Sequence, residues 1–219
     1  MKTLDYVIDR FNLDVRKPSP IEIPTIGRND LPHWLHELNF KTGVEVGVAA
    51  GEYSELIAKV NPQMKVYGID IWKGYHGYKH YIDDDTFAGL FGQAQKRLSQ
   101  YRNYEFIREL SADAIAHFDD NELDFVYLDA NHEGPYVSDD IREWYKKIKP
   151  GGILAGHDYV RPGSHRRNSF DAREKWSVID AVNRYVKENN IRPWFILGLK
   201  AKIPDTIRDN NRSWMWVKQ

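Results

Sequence analysis

Residues 43–51 read Gly43-Val44-Glu45-Val46-Gly47-Val48-Ala49-Ala50-Gly51, and the fold turns on how they are read. Val44-Glu45-Val46 is a short apolar strand that stops at Gly47. Behind Gly51, residues Tyr53, Leu56, Ile57 and Val60 recur at helical spacing. Strand, glycine-flanked turn and helix therefore follow one another within twenty residues. The same alternation continues downstream. Strands are expected at Lys65–Ile71, Tyr104–Ile107, Leu123–Leu128 and Ile153–Gly156. Helices are marked by Phe87, Leu90, Phe91, Ala94 and Leu98, by a short run at Asp113–Phe118, and by Val137, Ile141, Trp144, Tyr145 and Ile148. A last helix carries Val178, Ile179, Val182, Tyr185 and Val186. Alternating strands and helices imply an α/β domain with a mostly parallel, doubly wound sheet covered on both faces. Two further strands, Trp194–Leu199 and Trp214–Val217, have no helix between them and should close the sheet as an antiparallel hairpin, giving seven strands in all.

Upstream of residue 43, a helix presents Leu4, Val7, Ile8 and Phe11 on one face. Pro18, Pro20 and Pro24 then keep the chain extended. Residues 1–40 are accordingly expected to be an N-terminal helical extension, packed on the domain or across the interface of a homo-oligomer. Residues 41–219 form the domain proper.

Composition narrows the function classes. The 219 residues carry a net charge of −1, which argues against extended nucleic-acid binding. There is no cysteine, so disulfides, thiolate metal sites and a cysteine nucleophile are excluded. No apolar run approaches the roughly 18 residues that would span a bilayer, and the early charges at Lys2 and Asp5 leave no apolar signal segment. A cytoplasmic protein without membrane contact is expected. Seven Trp and thirteen Tyr are many for this length, and several fall in the loop Trp72–Tyr81, beside His76 and His80. With the basic loop Arg161–Arg167, that loop is the expected wall of an acceptor pocket.

In doubly wound sheets, ligands bind beyond the carboxyl ends of the strands where strand order reverses. Gly47-Val48-Ala49-Ala50-Gly51 falls there. Its G-x-x-x-G spacing departs from the G-x-G-x-x-G of a dinucleotide site, which speaks against a nicotinamide-dependent oxidoreductase. Asp70, ending the second strand, can accept hydrogen bonds from ribose hydroxyls. Glu45 lies in an apolar strand, where an unpaired carboxylate is costly. It is expected to meet backbone donors near the ligand or a positively charged ligand group.

The run Glu45–Gly51 resembles the E-x-G-x-x-x-G first motif of S-adenosyl-L-methionine-dependent methyltransferases, and Gly68-Ile69-Asp70 resembles their acidic second motif. Asp124–His132, Asp140–Trp144 and Lys149–Tyr159 are similar to their later segments. The whole, from about residue 40 to 200, looks like the bacterial class I subgroup of sugar and natural-product O-methyltransferases. The resemblance implies a Rossmann-like fold and S-adenosyl-L-methionine as cofactor. By that resemblance Glu45, Gly47 and Gly51 surround the methionine portion, with Asp129 beside it. Asp70 holds the ribose, Ile71 next to it belongs to the cofactor site, and Trp72 flanks the adenine ring. Ser111, Ala112 and Asp113 border the adenine.

Chemistry is expected at the ends of the fourth and fifth strands, where Asp129, His132, His157 and Asp158 lie. A hydroxyl acceptor needs alignment and a base. Asp129, His132 and His157 are the catalytic candidates. Metal-dependent O-methyltransferases carry ligands at positions matching Asp129, His157 and Asp158. A divalent ion there would acidify the acceptor hydroxyl. The histidine favours Mn²⁺, Fe²⁺ or Zn²⁺ over Mg²⁺, and a purely hydrogen-bonded histidine stays open beside that reading. The acceptor is expected to be a small molecule or glycan. Nitrogen or nucleic-acid methylation and non-catalytic cofactor binding are the alternatives.

Overall fold

Side-chain alternation along the strand at Val44 sets the two layers of the molecule. Val44 and Val46 point into one buried cluster, while Glu45 points to the opposite face. The computed structural model describes residues 2–75, 83–160, 177–199, 204–207 and 211–219. In it the strand β2 (Thr42–Val46) is flanked in parallel by β3 (Lys65–Ile69) and by β5 (Leu123–Leu128). Strand order therefore reverses at β2. Beyond β3 lies β4 (Tyr104–Ile107); beyond β5 lies β6 (Ile148–Gly156), again parallel. The strand β8 (Ser213–Val217) then runs antiparallel to both β6 and β7 (Phe195–Leu197).

Four helices cover the face that Glu45 points to. Tyr6 and Val7 of α1 (Thr3–Phe11) and Leu31, Trp34 and Leu35 of α2 (Leu31–Glu37) pack there. So do Tyr53 and Ile57 of α3 (Glu52–Val60) and Ala94 and Leu98 of α4 (Asp84–Leu98). The other face is covered by Ala114 of the short α5 (Ser111–Ala114), by Val137, Ile141 and Trp144 of α6 (Gly134–Lys147), and by Ala181, Val182 and Val186 of α7 (Val178–Glu188). No helix among the described residues is long and apolar enough to cross a membrane.

Among the described residues the sheet has eight strands rather than the expected seven. The addition is β1 (Ile21–Ile23), which pairs in parallel with β7, Ile21 opposite Phe195 and Ile23 opposite Leu197. Its three residues are too few to show a period, and Pro20 and Pro24 bracket it. Both prolines are tolerated because β1 is an edge strand. Residues 1–40 thus contribute a sheet strand as well as helices. Element boundaries also move. The strand expected to run to Ile71 ends at Ile69, leaving Asp70 and Ile71 in the loop, and β6 begins at Ile148, directly after α6. Residues 76–81 of the expected aromatic loop, and Arg161–Arg167, lie outside the described residues.

Candidate active site

At the end of β2 the chain turns through three left-handed residues, Gly47 (φ 94°), Ala49 (φ 48°) and Gly51 (φ 84°), before entering α3. A Cβ on Gly47 would stand 2.2 Å from the carbonyl oxygen of Asp129, so the segment leaving β5 presses directly on this turn. Gly51 has a different neighbour: its Cβ would meet Leu98 Cδ1 at 2.8 Å. Of the two glycines expected around a cofactor, Gly47 lies at the strand-end crevice, and Gly51 lets α4 pack against α3.

Asp70 stitches this turn to β3. Its Oδ2 accepts the backbone N–H groups of Val48 and Ala49, both at 3.0 Å, and its Oδ1 accepts that of Trp72 at 2.9 Å. A carboxylate has about four lone-pair sites, so capacity for a further donor remains. Ile71 is half-buried beside it. Trp72 is 2% exposed, donates Nε1–H to the Ala49 carbonyl at 2.7 Å, and packs on Phe91 and Phe106. The structure therefore places its indole in the core, supporting the turn, rather than on an open wall beside an adenine. Ser111 donates to Asp140 Oδ1 at 2.5 Å and accepts from Trp144 Nε1 at 2.9 Å, which ties it to α6. Burial pushes the Asp140 carboxyl up to about 6 against the opposing pull of that Ser111 bond. Ala112 and Asp113 are exposed.

Glu45 is 2% exposed and turns away from the crevice into the α3 face. Ser54 donates its hydroxyl to Glu45 Oε2, and Tyr104 stands 2.9 Å beyond Ser54. Burial pushes Glu45 up to about 8, with the Ser54 bond pulling the other way. Among the described residues the donor that meets it is a helix hydroxyl rather than a backbone N–H.

The four residues expected to carry chemistry do come together. His132 Nε2 lies 3.3 Å from Asp129 Oδ1 and 2.9 Å from Asp158 Oδ2. His157 Nδ1 lies 3.6 Å from a carboxylate oxygen of each. Burial would raise Asp129, but hydrogen bonding from His132 and His157 outweighs it and holds the carboxyl down to about 2. Burial would lower His132; its bonds to Asp129 and Asp158 raise it instead to about 10. Asp158 sits at φ 57°, and its buried Oδ1 has no hydrogen-bond partner among the described residues. One donor atom each from Asp129, His132 and Asp158 lie within 4.8 Å of one another. The histidine of this group is His132, whereas His157 was the one expected to sit with the two carboxylates. A cavity of about 10 Å³ lies beside the cluster, lined by Asn131, His132, Asp140, His157 and Trp214 among others.

Two contributors were missed by sequence reading. Arg28 reaches Asp129 Oδ2 with Nη1 at 3.1 Å across a separation of 101 residues, a distance at which no local pattern reports contact. Asn131 donates to the Tyr75 hydroxyl at 3.0 Å, fastening the start of the aromatic loop to the cluster.

Residues 44–159 match the family model described as a methyltransferase domain. An uncharacterized protein of Sinorhizobium fredii, y4gI, is 21% identical over 160 residues, which cover 68% of this chain. The match takes in only 16% of that relative's length. Among solved structures, the O-methyltransferase TomG of Streptomyces achromogenes, involved in tomaymycin synthesis and in complex with SAM, superposes with a TM-score of 0.58 at 15% identity, covering 100% of this chain and 91% of that one. An O-methyltransferase of Bacillus cereus in complex with SAH gives 0.57 at 15% identity, over 99% and 90% of the two chains. Spermidine synthase of Thermotoga maritima gives 0.54 at 13% identity, over 89% and 58%. At such identities the likeness is one of fold, and the fold serves more than one transfer chemistry.

Proposed function

The chain belongs to the methyltransferase-domain family, and from that membership we propose that it binds S-adenosyl-L-methionine at the reversal of strand order and methylates a hydroxyl of a small-molecule acceptor. One observation carries the reading. The turn that would hold the cofactor and the titratable cluster share a wall, because Gly47 lies against the backbone of Asp129. Reacting atoms held between the two would be within reach of both.

The cofactor supplies a methyl group on a sulfonium, which leaves as a neutral thioether. The protein must orient the acceptor oxygen and remove its proton. Asp129, held ionised by its neighbours, keeps negative charge at the strand-end crevice, where it would favour a cationic cofactor. With no ion bound, His132 is pinned between two carboxylates as an imidazolium at neutral pH, so it orders them rather than accepting a proton. His157 is held more loosely, at 3.6 Å from each, and we assign it the proton of the acceptor. The mixed oxygen and nitrogen donors Asp129, His132 and Asp158, one with an orphaned oxygen, fit a divalent ion such as Mn²⁺ or Fe²⁺ better than Mg²⁺. When bound, such an ion would acidify the acceptor hydroxyl. The family membership supports methyl transfer, and the two O-methyltransferase folds support oxygen as the acceptor atom.

Calorimetric titration with S-adenosylhomocysteine tests the proposal. Wild type should bind, and Asp70→Asn, which loses a charged acceptor, should bind about tenfold or more weakly. A wild type that does not bind would overturn the methyltransferase reading.

A further inference from the structure

Arg28 lies outside the family-matched span of residues 44–159, yet its guanidinium stands at the junction of the turn and the reacting cluster. Its placement is fixed from several sides. The short helical turn Arg28–Asp30 is closed by Asp30, whose carboxylate accepts the Gly27 N–H at 2.8 Å. Tyr53 of α3 donates its hydroxyl to the Arg28 carbonyl at 3.0 Å, and the guanidinium lies 5.2 Å over the same ring. A cation held this firmly, yet with a third of its side chain still exposed, is prepared for an anion beyond Asp129. Its contacts to Asp129 and Tyr127 do not exhaust five N–H donors.

The pair Arg28–Asp129 is an adjacent plus and minus charge in one wall. An α-amino acid head carries the complementary pair, an ammonium and a carboxylate on one carbon. Resting on the cofactor reading above, we infer that Arg28 and Asp129 together recognise the zwitterionic end of the methionine moiety. Arg28 takes the carboxylate and Asp129 the ammonium. The N-terminal segment thus supplies half of the amino-acid subsite, from outside the family-matched region.

The test compares two nucleosides that share adenosine and a thioether. S-adenosylhomocysteine has the amino-acid head; 5′-methylthioadenosine lacks it. Both are titrated calorimetrically into wild type, Arg28→Gln and Arg28→Lys. Arg28→Gln should weaken S-adenosylhomocysteine about ten- to a hundredfold and change 5′-methylthioadenosine by no more than about twofold. Arg28→Lys, which keeps charge but loses the planar fork, should fall between. Equal loss for both nucleosides would make Arg28 a scaffold of the crevice, and no loss for either would place the carboxylate elsewhere; each overturns the inference. A wild type binding neither would instead overturn the cofactor reading itself, and this inference with it.

Discussion

Glu45 keeps a proton that water would remove. Its carboxyl is fully enclosed between β2 and α3, with Ser54 donating to it and Tyr104 behind Ser54. An ordinary value of 4.5 and a folded value of about 8 fix the sign of its effect on stability. Below pH 4.5 both folded and unfolded chains hold the proton and there is no penalty. As pH rises from there the unfolded chain ionises first, so stability falls until about pH 8 and then levels off. Each unit between the two values corresponds to about 1.4 kcal/mol. Glu45→Gln keeps the shape and cannot ionise. Its thermal midpoint should gain on that of wild type steadily between pH 5 and pH 8. Two parallel pH curves would show that Glu45 ionises in the folded protein at its ordinary value. That a carboxylate in an apolar strand needs a partner was legible in the residues themselves. That the partner is Ser54 was not, because it depends on the rotation of α3 against the sheet.

Between β2 and α3, two glycines occupy similar backbone conformations for different reasons, and substitution should separate them. Both Gly47→Ala and Gly51→Ala incur left-handed strain on the order of 1–2 kcal/mol. At Gly51 the added methyl meets the end of the Leu98 side chain at 2.8 Å, which a rotamer change can relieve. At Gly47 it meets the Asp129 carbonyl at 2.2 Å, and that backbone is fixed because the Asp129 N–H donates to the Val46 carbonyl at 2.8 Å. Overpacking against a backbone that cannot move adds about 1–3 kcal/mol. Urea unfolding should therefore show Gly47→Ala as the more damaging variant; equal losses would mean that φ alone sets the cost. The elements around this turn were legible because their apolar residues repeat at helix and strand periods. The exceptions have physical causes. Three residues between prolines, Ile21–Ile23, show no period, and their pairing with β7 is settled by a strand more than 170 residues away. Trp72 read as a ligand wall because it sits in an aromatic loop, whereas its left-handed backbone, φ 45°, turns the indole inward beneath Ala49.

Across the whole molecule, three stretches of chain meet at one point: Arg28 from before α2, Asp129 and His132 from after β5, and His157 and Asp158 from after β6. Strand ends announced the last four. Which histidine stands between the carboxylates was not announced, since it rests on the left-handed backbone at Asp158. This convergence makes global stability a readout of the site. In the metal-free protein His132 has a folded value of about 10 against an ordinary 6.5. Its contribution is complete below pH 6.5 and is lost as pH rises through 10. A divalent ion coordinated by Asp129, His132 and Asp158 requires the imidazole without its proton, so ion and proton compete for the same place. Binding to the folded chain alone raises its stability in proportion to the logarithm of ion concentration over Kd. The rise in thermal midpoint caused by Mn²⁺ should therefore be larger at pH 8 than at pH 6. It should vanish in His132→Ala and survive in His157→Ala. A Mn²⁺ effect that vanishes in His157→Ala but persists in His132→Ala would return the ligand role to His157. An effect independent of pH would mean that the ion does not displace the His132 proton.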